Sequence, residues 1–158
     1  MERFEQERER IVLTLREVAR RIEHVGSTSV PGFAAKPIID IELSVADVED
    51  EASYVPPMQA AGYVLRVREP GHRMFRTADI GVQIHVCATG SEWERRHLLF
   101  RDWLRRSSED RARYEAAKRE LAQREWDDVN DYADAKSAVI NEITERAETW
   151  AAVTGWSL

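Results

Sequence analysis

Asp40 and Glu42 stand one residue apart in the aliphatic run Ile38-Ile-Asp-Ile-Glu-Leu-Ser-Val45, and twelve residues separate Asp40 from Ser27 in the earlier string Gly26-Ser-Thr-Ser29. On a strand, alternate residues share a face, which would set the two carboxylates about 7 Å apart at the Cα level. That spacing suits one or two hard cations, and magnesium or manganese needs little more from protein because waters and phosphate oxygens complete its shell. Gly26 permits close backbone approach, while Ser27, Thr28 and Ser29 offer hydroxyl and N–H groups to phosphate oxygens. Lys36 precedes a proline that biases it toward extended backbone, from which its ammonium could reach over the acids toward a phosphate. These are the parts of a phosphoryl or nucleotidyl transfer site. Each taken alone also occurs in an ordinary half-solvated strand or loop.

Further candidates lie downstream. In Val82-Gln-Ile-His-Val-Cys87 the apolar residues alternate with Gln83, His85 and Cys87, so His85 is a candidate base or ligand on the polar face. Arg76, three residues before Asp79, could line a nucleotide pocket. Tyr114 and Lys118 are four apart, as are Tyr132 and Lys136, and each pair shares a helix face. Lys136 falls within an apolar stripe, where its ammonium must snorkel outward or meet an anion. His24 reads as a packed or hydrogen-bonded histidine.

The elements that must position these groups follow from periodicity. Phe4, Ile11, Leu15, Val18 and Ile22 fall on one helical stripe. A strand covers 38–45, a short helix part of 47–61 ends at Gly62, and three strands begin at Tyr63, Arg73 and Val82. The last two are separated by a tight turn at Ile80-Gly81, as in an antiparallel hairpin. From Ser91 the chain turns helical, with a capping pattern at Ser107-Ser-Glu-Asp110 and a last helix from about Val129. The expected architecture is α+β: a small mixed or antiparallel sheet flanked by helices, with a helical C-terminal half.

The whole chain bounds the function. Its 158 residues predict a single domain over 1–158. A net charge of −6 argues against a general polyanion binder, so nucleic acid is not an expected partner. One cysteine excludes an internal disulfide and fits a reducing cytoplasm. No apolar run is long enough to suggest a membrane anchor.

The spacing from Gly26-Ser27 to Asp40-x-Glu42 resembles that of the nucleotidyltransferase superfamily. The longer string His24-Val-Gly-Ser-Thr-Ser-Val-Pro-Gly32 through Lys36-Pro-Ile-Ile-Asp-Ile41, with Phe100-Arg-Asp-Trp-Leu-Arg105 and Tyr132-Ala-Asp-Ala-Lys136, is similar to the GrpB family of bacterial proteins. That resemblance covers nearly the whole chain. It implies a nucleotidyltransferase-like fold in which Ser27 touches nucleotide phosphates and Asp40 and Glu42 hold Mg²⁺ or Mn²⁺. A nucleoside triphosphate would then pass its nucleotidyl group to an unidentified hydroxyl acceptor. Active members of the superfamily carry a third acid on a later strand. Here His85 stands at that place, and Asp79 is the nearest acid. The alternative expectation is a noncatalytic nucleotide- or coenzyme-binding module.

Overall fold

The computed structural model describes residues 2–31, 38–124 and 129–158, and of 129 and 130 only the backbone. Lys36 and Trp126 therefore lie outside the described residues. Helix α1 (Glu2–Leu15) is followed by β1 (Arg21–Val25), β2 (Ile39–Val45), α2 (Val55–Ala60), β3 (Val64–Glu69), β4 (His72–Arg76) and β5 (Val82–Ala88). Three helices follow: α3 (Glu92–Arg106), α4 (Ser108–Gln123) and α5 (Val129–Thr154). The α+β architecture expected from the sequence is present.

The strands form one mixed sheet in the order β1-β2-β5-β4-β3. Only the β2–β5 pair is parallel, and β4 and β5 form the expected antiparallel hairpin. The helical stripe drawn through Ile22 needs correction. Arg16 adopts a φ of 50°, which ends the helix, and Ile22 sits on β1 opposite Leu43. Val18 and Ile22 still pack on the core, so their helical spacing reflects burial from two different elements.

The sheet has two unlike faces. On one, Ile41, Leu43, Val45, Phe75, Val82, Ile84 and Val86 pack with Ile11, Leu15 and Met58 of α1 and α2 in the principal core. Each such side chain contributes about 1.5–3 kcal/mol on burial. The opposite face carries Asp40, Glu42, Ser44, His85 and Cys87, which the period of two puts together. Much of it is nevertheless covered: Glu42, Ser44 and Cys87 are all buried, and α3 contacts the sheet there.

The three C-terminal helices have their own apolar clusters. Val30, Leu104 and Ile143 form one, and Leu99, Ala147 and Ala151 form another beside Trp103, Trp150 and Trp156. The capping pattern is realised, with Ser107 accepting from the Asp110 amide. Asp110 itself accepts from Trp103 Nε1 at 2.7 Å and from Arg146, tying α3, α4 and α5 together. Among the described residues no helix is long and apolar enough to cross a membrane.

Candidate ligand-binding site

Gly26 turns the chain out of β1 with φ of 72° and ψ of −176°, a region that glycine alone occupies readily. A Cβ at this position would lie 2.6 Å from Asp40 Oδ2. The missing side chain is thus also what admits Asp40 beneath the loop. The turn that follows is closed from within, because the Ser29 hydroxyl donates to the Gly26 carbonyl at 2.6 Å. Thr28 Oγ1 pairs with His24 Nε2 at 2.8 Å, and His24 stacks on Phe4 of α1. Of the three hydroxyl residues, Ser27 is the one that lines the neighbouring cavity.

That cavity has a volume of about 520 Å³ and lies between Val25–Ser27 and helices α3, α4 and α5. Trp93, His97, Phe100 and Tyr114 supply rings, and Arg96, Arg101 and Lys136 supply cations. Arg101 is committed: it donates to Glu23 Oε2 at 2.8 Å and to Asp102 Oδ1 at 2.9 Å. Arg105 Nε donates to the Ser29 carbonyl at 3.0 Å and so braces the loop. Arg96 and Lys136 make no ion pair among the described residues. Glu92 is the one acid on the lining among the described residues.

The acid pair is split by its surroundings. Asp40 is partly exposed, and its Oδ1 lies 3.2 Å from His85 Nε2. His85 Nδ1 lies 3.1 Å from His72 Nε2, and His72 Nδ1 lies 2.6 Å from Glu69 Oε1. Burial lowers the His72 pKa, against the pull of Glu69. Glu42, only 2% exposed, accepts from the Cys87 thiol at 3.5 Å through Oε1, while Oε2 has no partner among the described residues. Burial raises its carboxyl to about 8, and buried Glu94 of α3 adds to the effect. The same burial pushes the Cys87 thiol up.

A hard divalent cation asks for ionised oxygens converging on one point. Burial favours the neutral form of the Glu42 carboxyl in the absence of a cation, and Asp40 is engaged by an imidazole. Among the described residues no group of three or more His, Cys, Asp or Glu side chains is placed to hold a metal ion. The donor set does not fit magnesium or manganese, and we assign no step to either. Asp79 does not complete a triad, because it lies in the β4–β5 turn bound to Arg3 and Thr77.

The other expected site residues separate in the same way. Gly26, Ser27 and Lys136 come together at the cavity. Ser29 and Thr28 turn inward to close and anchor the loop. Arg76 is the register partner of Gln83, which pairs in turn with Asp40, so it sits two strands and about 10 Å from that acid. Lys118 lies over the Tyr114 ring with its ammonium 5.4 Å from the centroid, outside the lining. The sequence reading missed Arg96, His97 and Phe100 as site residues. With Trp93 they follow at steps of three, one and three, the signature of a single helix face.

The family model described as GrpB protein matches residues 1–146. The chain belongs to the GrpB family. A UPF0157 protein of Halalkalibacterium halodurans is 50% identical over 91% of this chain and 75% of its own length. A UPF0157 protein of Streptomyces coelicolor is 55% identical over 80% of this chain and 68% of its own. The crystal structure of GrpB from Enterococcus faecalis, 32% identical, superposes with a TM-score of 0.78 over 94% of this chain and 93% of that one. A protein of Mycolicibacterium paratuberculosis named dephospho-CoA kinase is 34% identical over 87% of this chain, which spans 41% of the kinase.

Proposed function

We propose that this GrpB protein binds a phosphorylated small molecule bearing an aromatic ring, a nucleotide or nucleotide-containing coenzyme, in the cavity beside Gly26 and Ser27. The observation that carries this reading is the cavity's composition: four rings, two cations without ion-pair partners among the described residues, and a glycine loop that offers backbone and hydroxyl donors. Rings on a cavity wall stack on a base irrespective of its identity. Arg96 and Lys136 supply the charge that phosphates require, Arg96 as a planar fork and Lys136 as a point charge. The similarity to a protein named dephospho-CoA kinase supports a ligand of this class.

Metal-dependent nucleotidyl transfer, the activity implied by the sequence resemblance, has Asp40 and Glu42 on a common strand face in its favour. It would also need Glu42 ionised beneath α3. Binding without a divalent cation is therefore the reading we adopt. Titration calorimetry with ATP, ADP and coenzyme A, in EDTA and in Mg²⁺, tests it. We expect binding in EDTA, weakened about tenfold or more in Lys136→Met. Failure of all three compounds to bind at millimolar concentration would overturn the proposal, and affinity that appears only with Mg²⁺, together with pyrophosphate release from ATP, would restore the transferase.

A further inference from the structure

The four side chains Asp40, His85, His72 and Glu69 form one continuous hydrogen-bonded line from beneath the Gly26 loop to the far edge of the sheet, with contacts of 3.2, 3.1 and 2.6 Å. The line crosses β2, β5, β4 and β3. Its two ends differ in exposure: the Glu69 side chain is 53% exposed and that of Asp40 29%, while His72 between them is 8% exposed.

Counting protons shows what the line can do. Ionised carboxylates only accept, and a neutral imidazole carries one N–H. With Nε2–H on both rings, His85 donates to Asp40 and His72 donates to His85. His72 Nδ1 then faces Glu69 Oε1 at 2.6 Å with no proton between them. A third proton, taken from water at the Glu69 end, fills that contact and makes His72 an imidazolium. If the Nε2 protons of His72 and His85 then each cross their own hydrogen bond, His72 becomes neutral and the added proton resides on Asp40. The reverse movement carries a proton from Asp40 to water. No electrons are transferred, and no bond other than N–H and O–H is made or broken.

We propose that Glu69, His72 and His85 are a proton relay that makes Asp40 the proton donor and acceptor for a hydroxyl group of the cavity ligand. This rests on the binding reading above. Asp40 lies just behind the cavity wall, where its Oδ2 abuts Gly26, and the lack of a side chain at Gly26 leaves the carboxylate close to the lining. Trp93 shields the relay. Its indole stacks on His72 with centroids 4.3 Å apart and on His97 at 4.4 Å, and it also lines the cavity. The charged and titratable groups around the two imidazoles are Asp40 and Glu42 from β2, Glu69 from β3, Arg73 from β4 and His97 from α3. His72 and His85 also stack on each other at 5.3 Å.

The test uses the whole chain with ¹⁵N-labelled histidine and no ligand, so its outcome is independent of whether the cavity binds nucleotides. We expect a nitrogen–nitrogen coupling across the His72–His85 hydrogen bond and a ring proton protected from solvent exchange. His72→Gln should abolish the coupling, and Glu69→Gln, at an exposed carboxylate that leaves the core untouched, should speed that ring proton's exchange at least tenfold. A second arm measures binding of ADP by calorimetry in buffers of different ionisation enthalpy. Proton uptake or release in the wild type that vanishes in Glu69→Gln supports the relay. Independent titration of the two imidazoles, or exchange and proton linkage unchanged in Glu69→Gln, would overturn it even if ADP binds; absence of ADP binding with the coupling intact would sink only the ligand.

Discussion

Replacing Glu42 by glutamine should change how stability depends on pH. Burial raises the folded-state carboxyl from an ordinary 4.5 to about 8, so between those values the folded chain retains a proton that the unfolded chain has lost. The stability this group contributes is whole below pH 4.5 and is lost as pH rises through 8. Linkage sets the slope at about 1.4 kcal/mol per pH unit across the window, on the order of 5 kcal/mol in all. Glutamine has no proton to lose, so the slope should vanish. At pH 5 the variant should be no more stable than the wild type, because it merely exchanges one neutral group for another and leaves a buried N–H without a sure partner, at a cost of about 1–3 kcal/mol. At pH 8.5 it should be the more stable protein by several kcal/mol. Urea unfolding followed by tryptophan fluorescence from pH 5 to 9 measures both curves, and taking their difference removes the histidines common to the two proteins. Parallel curves would refute the reasoning and show that Glu42 is ionised in the fold at neutral pH, as a cation ligand would be.

Gly26→Ala should lose stability twice over, through a backbone region worth about 1–3 kcal/mol of strain and through the collision of its Cβ with Asp40. Adding Asp40→Ala should recover the second part alone, and a strictly additive double mutant in urea unfolding would contradict the close approach. Asp110→Ala removes the acceptor shared by Trp103 and Arg146, and a loss of about 2–4 kcal/mol is expected in the same assay. Ser27→Ala should weaken ADP binding by no more than about tenfold, since it deletes one hydroxyl and leaves the loop amides; calorimetry would show a larger loss if the hydroxyl were the principal contact. Asp79→Asn should lower stability most above pH 5, because the Arg3 guanidinium holds the Asp79 carboxyl well below its usual range. The group is exposed, so unfolding at pH 5 and pH 2 should reveal only a small difference.

Much of this was legible in the residues. The alternation from Ile39 to Val45 located β2 and correctly placed Asp40 and Glu42 on the face away from Ile41 and Leu43. The same rule placed His85 beside them. What alternation does not reveal is what covers a face. Glu42 and Ser44 are buried because α3, fifty residues later, lies over them, and the lid's own acid, Glu94, is invisible to any local pattern. His72 reads from sequence as the opening of a strand after Pro70-Gly71, and nothing in the local pattern shows that it meets His85, thirteen residues away. From sequence Ser27, Thr28 and Ser29 all offer hydroxyls to a phosphate, yet two of the three serve the fold. A hydroxyl is equally able to close a turn or to meet a ligand, and only the direction of each Cα–Cβ bond decides.

The separation of the apolar clusters bears on how the molecule opens. The principal cluster draws its members from Phe4 to Val86, and the two smaller ones from Val30 and from α3 to α5. Between them lies the polar sheet face, where little apolar area is shared. The helical half should therefore detach at a lower free energy than the sheet melts, giving two tiers of amide protection in native-state hydrogen exchange. The cavity sits on the seam between those tiers. An occupant would touch Gly26 and Ser27 on one side and α3 to α5 on the other, so its binding energy would appear as slowed exchange in helices it does not fully cover.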